Sequence, residues 1–278
     1  MTKIVADTTS GLPLELAAKL GIAMIPQLVV FGEQTFRDDT ELTTAGFLEK
    51  LRASSVLPKT AAPPPSLYHP IFEEAARTGE TVLVIAPTAK MSGTFRSAET
   101  AKLDYPNADI RIIDTGTIAG CLGSLALVAQ QLSQNGNSAD EIEVYIKALL
   151  PRSRTYFVVD TLEYLQKGGR IGTAKALLGE LLQVKPILQI KDGQAAPFEQ
   201  ERTKKRATGR LIEIVCEQLA ASPNPHLCVM HIDAGDEAKA ICAELTSRLG
   251  LLDIPIYILP PAIIVHAGPK ALAVGFFV

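Results

Sequence analysis

The chain lacks the short patterns that announce a nucleotide, metal or acyl-enzyme site. It has no GxxxxGK[ST], and no GxGxxG follows a strand, so the usual glycine cradle for a nucleotide phosphate is missing. HExxH and GxSxG are missing too, which removes the commonest signals of a metalloprotease and an α/β-hydrolase. The four cysteines, Cys121, Cys216, Cys228 and Cys242, include no CxxC pair. Neither a zinc site nor a disulfide framework is expected, and they read as buried thiols in a reducing compartment. No run of about 18 apolar residues occurs. The start, MTKIVADTTSG, lacks the charged opening and apolar core of a signal peptide. A soluble cytoplasmic protein without stable membrane anchoring is the expectation. Excess charge is also lacking: 27 Lys and Arg against 30 Asp and Glu give a net charge of -3, with no global drive toward nucleic acid. Arg202 to Arg206 is the one dense basic run, either a solvated helix start or a docking patch.

What is present is core-forming sequence, 47% hydrophobic over 278 residues, enough for one large or two ordinary domains. Val82 to Ala86 reads as a buried strand, and Ser92-Gly93-Thr94 then opens a helix. Such a turn offers hydroxyls and free N–H groups to an anion, although a plain helix cap explains Ser92 equally well. Lys3 to Asp7 and Ile110 to Asp114 are further strands with polar carboxyl ends, where ligands collect in α/β sheets. Ala23 to Phe31 reads as one strand with a small hairpin after it, and Lys59 to Pro65 as a proline-stiffened loop from which Ser66 caps a helix. The helix from Ile118 to about Gln134 begins with small residues, Gly120 and Cys121 among them, that leave room for close packing or for a ligand. Ser138 to Glu141 is a capping box.

After Arg154 the pattern becomes mixed. Lys185 to Glu201 folds back through Asp192-Gly193 as a hairpin, Ala174 to Leu182 reads as helical, and Ala262 to His266 reads as a strand. The fold class is therefore α/β, with two α/β domains: residues 1–150 around a mainly parallel sheet and residues 151–278 around a mixed one. Of the four histidines, His266 stands out, because it closes an apolar run just before Gly268-Pro269. Ser92, His266 and a carboxylate such as Asp7 could assemble in space as a nucleophile and base, so an acyl hydrolase or thioesterase stays open as an alternative.

Several stretches together resemble the DegV family of bacterial fatty-acid-binding proteins: KIVADTTSGLP, MIPQLVVF, MSGTFRSA, IIDTGTIAGCLG, FVVDTLEYLQKGGRIG, VKPIL and HAGPKALAV. The resemblance spans nearly the whole chain in order. It implies a two-domain fold with one fatty acid, such as palmitate, in a tunnel and no other cofactor. It also implies that Thr60, Ser92 and His266 hold the carboxylate and that Gly93, Arg170 and Arg202 lie near the head group or a partner. Gly120 and Cys121 would line the acyl chain. The family's role is to present that carboxylate to a separate ATP-dependent fatty acid kinase subunit, which makes an acyl phosphate, so the chain itself would not be a catalyst. Two positions depart from the family pattern: Ala61, where a hydroxyl residue is usual, and Lys270, where glycine often follows the Gly-Pro pair.

Overall fold

The computed structural model describes residues 2–178, 184–219 and 225–278. The first part of the chain contributes β1 (Thr2–Asp7), α1 (Leu14–Leu20), β2 (Ala23–Ile25), β3 (Leu28–Phe31), β4 (Gln34–Arg37), α2 (Thr44–Ala53) and β5 (Lys59–Ala61). It continues with α3 (His69–Thr78), β6 (Thr81–Ala86), α4 (Thr94–Lys102), β7 (Ile110–Asp114), α5 (Gly120–Gln134) and α6 (Ala139–Leu149). The remainder holds β8 (Ser153–Val158), α7 (Glu163–Lys167), β9 (Lys185–Lys191), β10 (Gln194–Glu201), α8 (Lys204–Leu219) and β11 (Cys228–His231). Last come α9 (Gly235–Leu249), β12 (Ile256–Ile258), α10 (Pro261–Ala267) and β13 (Leu272–Phe277).

Three sheets result. A parallel sheet has the order β2-β1-β6-β7, and a mixed sheet of six strands runs β10-β9-β8-β13-β11-β12. A small antiparallel sheet, β4-β3-β5, sits beside them. Side-chain alternation sorts the core. On one face of the parallel sheet, Val5, Val82 and Val84 pack with Tyr68, Phe72 and Ala98 from the α3 and α4 side. On the other, Ile4, Leu83 and Ile85 share a core with Leu122, Leu125 and Ala129 of α5 and with Met230 and Ala273 of the six-stranded sheet. The far face of that larger sheet is covered by α8 and α9 through Leu211, Val215, Ile241 and Leu245. Helix α5 is thus the filling between two sheets, which explains its run of small and apolar residues.

Much of the local reading is reproduced. Ser138 and Glu141 make both bonds of a capping box at α6, and Gly21 and Gly250 end α1 and α9 in the left-handed conformation. The Asp192-Gly193 turn has φ of 51° and 75°, as a two-residue hairpin of matching twist requires.

Several expectations need correction. Ala23 to Phe31 is two strands in two different sheets, because Pro26 supplies no ladder donor and the chain turns there. The stretch after Pro58 is not all loop: Lys59–Ala61 is β5, paired with β3 so that Thr60 faces Val29 across the ladder. Ser66 does not cap a helix; it lies in a 3-10 turn, and α3 starts from Tyr68 with Pro70 in its first turn. Most consequential, Ala262 to His266 is helical. Pro260 and Pro261 preset the helix start and Gly268 stops it, and four apolar residues are too few for periodicity to separate helix from strand. The helix expected over Ala174–Leu182 is a 3-10 segment, Gly172–Leu177, in its first part, and its last residues lie outside the described ones.

Candidate functional site

Three distant elements bring their polar groups to one cavity. Thr60 projects from β5, Ser92 from the turn before α4, and His266 from the last turn of α10. All three line it, together with Gly93 and Arg170. Its remaining wall is mostly apolar and includes Met91, Ile118, Phe157, Leu165, Ile190 and Ile263. The space between the walls, counting the open mouth, is about 880 Å³. Small-molecule sites share this build of apolar lining with few polar groups.

The polar end has a definite wiring. His266 Nε2 lies 2.8 Å from Thr60 Oγ1. Burial, reinforced by the Arg170 cation, pushes the His266 pKa down to about 4, so the ring is neutral at neutral pH. Its Nδ1 has no hydrogen-bond partner among the described residues and abuts Gly168, where any Cβ would collide with it. Arg170 donates to the carbonyl oxygens of Met91 (3.0 Å) and Gly168 (2.8 Å). It forms no ion pair with an acidic side chain among the described residues, and it sits half-buried with its pKa lowered by desolvation alone. A partly desolvated cation bonded only to carbonyls keeps its charge available for an anion.

Ser92 belongs to a second, deeper network. Its Oγ accepts the Thr94 backbone N–H (3.2 Å) and lies 2.8 Å from Thr94 Oγ1, so it brackets the helix start, with Gly93 and not Ser92 at the N-cap. Thr94 Oγ1 in turn donates to buried Asp7 Oδ2 (3.0 Å) and accepts from Gln27 Nε2 (2.8 Å). Asp7 also takes bonds from Gln27 Nε2 (2.5 Å) and Thr9 Oγ1 (2.5 Å). Beside it, Asp38 accepts from Thr8 Oγ1 (2.8 Å) and the Gln27 backbone N–H (2.8 Å). Burial raises both acids, Asp7 to about 6 and Asp38 to about 7, with Asp7's charge adding to the second shift.

These raised values make a stability prediction. An acid whose folded pKa exceeds its unfolded value stabilises the fold below about pH 4, and that contribution is lost as pH rises through 6 to 7. The thermal midpoint should therefore fall between pH 5 and pH 8, at roughly 2–4 °C per kcal/mol for a chain of this size. Asp38→Asn keeps the shape and removes one charge, so its midpoint should decline less over that range, as a pH series of thermal melts will measure.

The structure leaves other expected residues away from the cavity. Arg202 is exposed in the turn between β10 and α8 and does not line it. Gly120 and Cys121 do not line it either. Gly120 is pressed against Cys228 and Met230 of β11, and Cys121 Sγ bonds the carbonyl oxygen of Arg154 and the Thr155 hydroxyl, so both serve the close approach of α5 to the six-stranded sheet. Their neighbours Ile118 and Ala119 reach the cavity instead. Asp7 bonds no histidine, and Ser92 is wired to Thr94 and not to His266. Ala61 is exposed. Lys270 has φ of 62°, the conformation glycine adopts freely, and its ammonium is tied to the Asp233 carbonyl (2.6 Å). Thr9 and Gln27 were missed as lining residues; the one signal for Gln27 is an amide after Pro26 inside an otherwise apolar run. No group of His, Cys, Asp or Glu that could hold a metal occurs among the described residues, and no helix there is long and apolar enough to cross a membrane.

Comparison with known proteins agrees with this architecture. The family model described as "Uncharacterised protein, DegV family" matches residues 1–278. A DegV domain-containing protein of Streptomyces coelicolor is 34% identical over 273 residues, covering 98% of this chain and 96% of that protein. A fatty-acid-binding DegV family protein of Thermus thermophilus superposes with a TM-score of 0.93 at 28% identity, over 99% of both chains. DegV of Bacillus subtilis, described as a fatty acid binding protein, superposes with a TM-score of 0.89 at 32% identity, over 100% of this chain and 99% of that one. With a family model matched from one end to the other and a fold shared over the same length, the chain belongs to the DegV family.

Proposed function

We propose that this protein binds one long-chain fatty acid, such as palmitate, in the cavity and presents its carboxylate to a separate ATP-dependent kinase subunit for conversion to an acyl phosphate. The observation that carries the reading is the gathering of Thr60, Ser92 and His266, with Arg170, at the polar end of a largely apolar cavity. In the Nε2–H tautomer of the neutral imidazole the ring donates to Thr60 Oγ1, and on this reading that frees the Thr60 proton for a carboxylate oxygen. Ser92 supplies a second hydroxyl at the carboxylate and Arg170 the compensating charge. Affinity comes from the acyl chain: burying roughly fifteen carbons is worth ~12 kcal/mol, against association costs of at least ~4 kcal/mol. The chain divides on this reading into residues 1–150 and 151–278, with the carboxylate at their junction, and Arg202 on the outer surface is left for partner contact.

The chemistry of the site suits holding cargo better than cleaving it. A hydrolase would need a base on the Ser92 hydroxyl, and the imidazole is engaged with Thr60 instead. Organic extraction of the purified protein followed by mass spectrometry should release about one fatty acid per chain. Protein that yields no lipid, and takes up none when palmitate is offered, would remove the ligand class. Turnover of acyl esters that disappears in Ser92→Ala would favour the hydrolase.

A further inference from the structure

We propose that Asp7 is a positioning residue that sets the direction of the Ser92 hydroxyl: un-ionised Asp7 turns the Ser92 proton into the cavity toward a ligand carboxylate, and ionised Asp7 draws it away through Thr94. The inference rests on the fatty-acid reading above and concerns the same polar end.

Counting hydrogens forces the coupling. Thr94 Oγ1 has one proton and three neighbours, Gln27 Nε2, Asp7 Oδ2 and Ser92 Oγ, at 2.8, 3.0 and 2.8 Å. The Gln27 amide donates to it. When Asp7 is ionised it can only accept, so the Thr94 proton goes to Asp7 and Ser92 must donate to Thr94. Ser92 then shows the cavity a lone pair, which repels a carboxylate. When Asp7 carries a proton on Oδ2, it donates to Thr94, the Thr94 proton passes to Ser92, and the Ser92 proton is free for the ligand. One proton is taken up from solvent, and no bond other than O–H and hydrogen bonds changes.

The surroundings favour the protonated form. Asp7 is buried; Oδ1 takes the Thr9 backbone N–H and hydroxyl and Oδ2 takes Gln27 Nε2 and Thr94 Oγ1, and only a proton on Oδ2 aimed at Thr94 reaches the relay to Ser92. The titratable groups facing it are Asp38, just past β4, and Tyr68, ahead of α3, whose hydroxyl is buried without a partner. Thr9, Gln27 and Thr94 are its neutral neighbours, and no Lys or Arg among the described residues is paired with it. Arg170 and His266 line the same cavity, and Arg170 donates to the Met91 carbonyl next to Ser92. Burial holds the Asp7 pKa near 6, so the switch falls in a range the protein can experience.

Partition of radiolabelled palmitate between the lipid-stripped full chain and phosphatidylcholine vesicles, from pH 5.5 to 8.5, tests this against Asp7→Asn. The introduced amide removes the titration; its carbonyl faces Thr9, and its NH₂ faces Thr94 and the Gln27 amide, which must turn its Oε1 toward it. Dividing wild type by variant at each pH cancels the ligand's own titration. The expected ratio is near one at pH 5.5 and falls about tenfold per pH unit once Asp7 ionises. A ratio that stays flat overturns the proposal. Thr94→Val, which cuts the relay, should also flatten the wild-type profile, and Thr94→Ser should restore it. A Thr94→Val profile as steep as wild type overturns the proposal even if Asp7→Asn folds poorly. Palmitate bound by neither wild type nor variant at any pH would remove the fatty-acid reading and this inference together, whereas uptake with a flat ratio removes only the inference.

Discussion

His266→Ala is expected to weaken palmitate binding by roughly 10- to 100-fold while leaving the thermal midpoint within a few degrees of wild type. The magnitude follows from what the imidazole does. On this reading the ring's Nε2–H is the partner that frees the Thr60 proton, so losing the ring disorganises the Thr60 donor at the carboxylate. A hydrogen bond to a charged group is worth ~1.5–3 kcal/mol, which converts to that range of affinity. Because burial and Arg170 keep the ring neutral down to about pH 4, the loss should be the same at pH 6 and pH 8. A loss that grows toward low pH would mean that a charged imidazole holds the ligand. Equilibrium binding at both pH values, with circular dichroism as the check on folding, decides it. A change below twofold would place the carboxylate elsewhere in the cavity.

Gly172→Ala should be the most damaging single methyl in the second half of the chain. Gly172 has φ of 52°, which costs an L residue ~1–2 kcal/mol. Its new Cβ would also run into the Ala195 carbonyl oxygen of β10, with Ala195 N at 3.1 Å and C at 3.2 Å behind it. Ladder backbone cannot swing aside as a flexible side chain can, so the total should reach ~3 kcal/mol or more. The thermal midpoint should drop by ~6–12 °C. Gly209→Ala is the matched control: it lies in α8 with no positive φ and nothing within 4 Å of where its new methyl would sit, and should raise stability by ~0.5–1 kcal/mol. Equal melts for the two variants would contradict the packing of the Gly172–Leu177 segment on β10.

How far the sequence foretold this molecule depended on the range of the interaction concerned. The capping box at Ser138, the Asp192-Gly193 hairpin and the glycine stops after α1 and α9 are decided by neighbours within a few residues, and all are as read. The helix at Pro261–Ala267 was misread because its apolar run suits strand and helix equally and its burial is settled by tertiary packing. Family likeness singled out Thr60, Ser92 and His266, and they do meet at one cavity, but their wiring was out of reach. Thr94 and Asp38 look like ordinary polar residues until the fold buries them around Asp7 and Gln27. Gly120 and Cys121 show the converse: small residues left packing and acyl-chain lining both open, and only the opposing strand β11 shows that they serve packing.

The position of β13 bears on how the chain is made. It is the last of the six strands to be synthesised, yet it lies in the middle of their sheet, between β8 and β11. Until residues 272–277 leave the ribosome, β10-β9-β8 and β11-β12 are two open-edged fragments with no ladder between them. The parallel sheet needs no strand beyond Asp114 and can form early. Maturation is thus ordered from the amino end. The cavity, whose wall includes Ala271 and Ala273, is the last feature to be completed, so a nascent chain with its first sheet already folded still has no finished site for cargo.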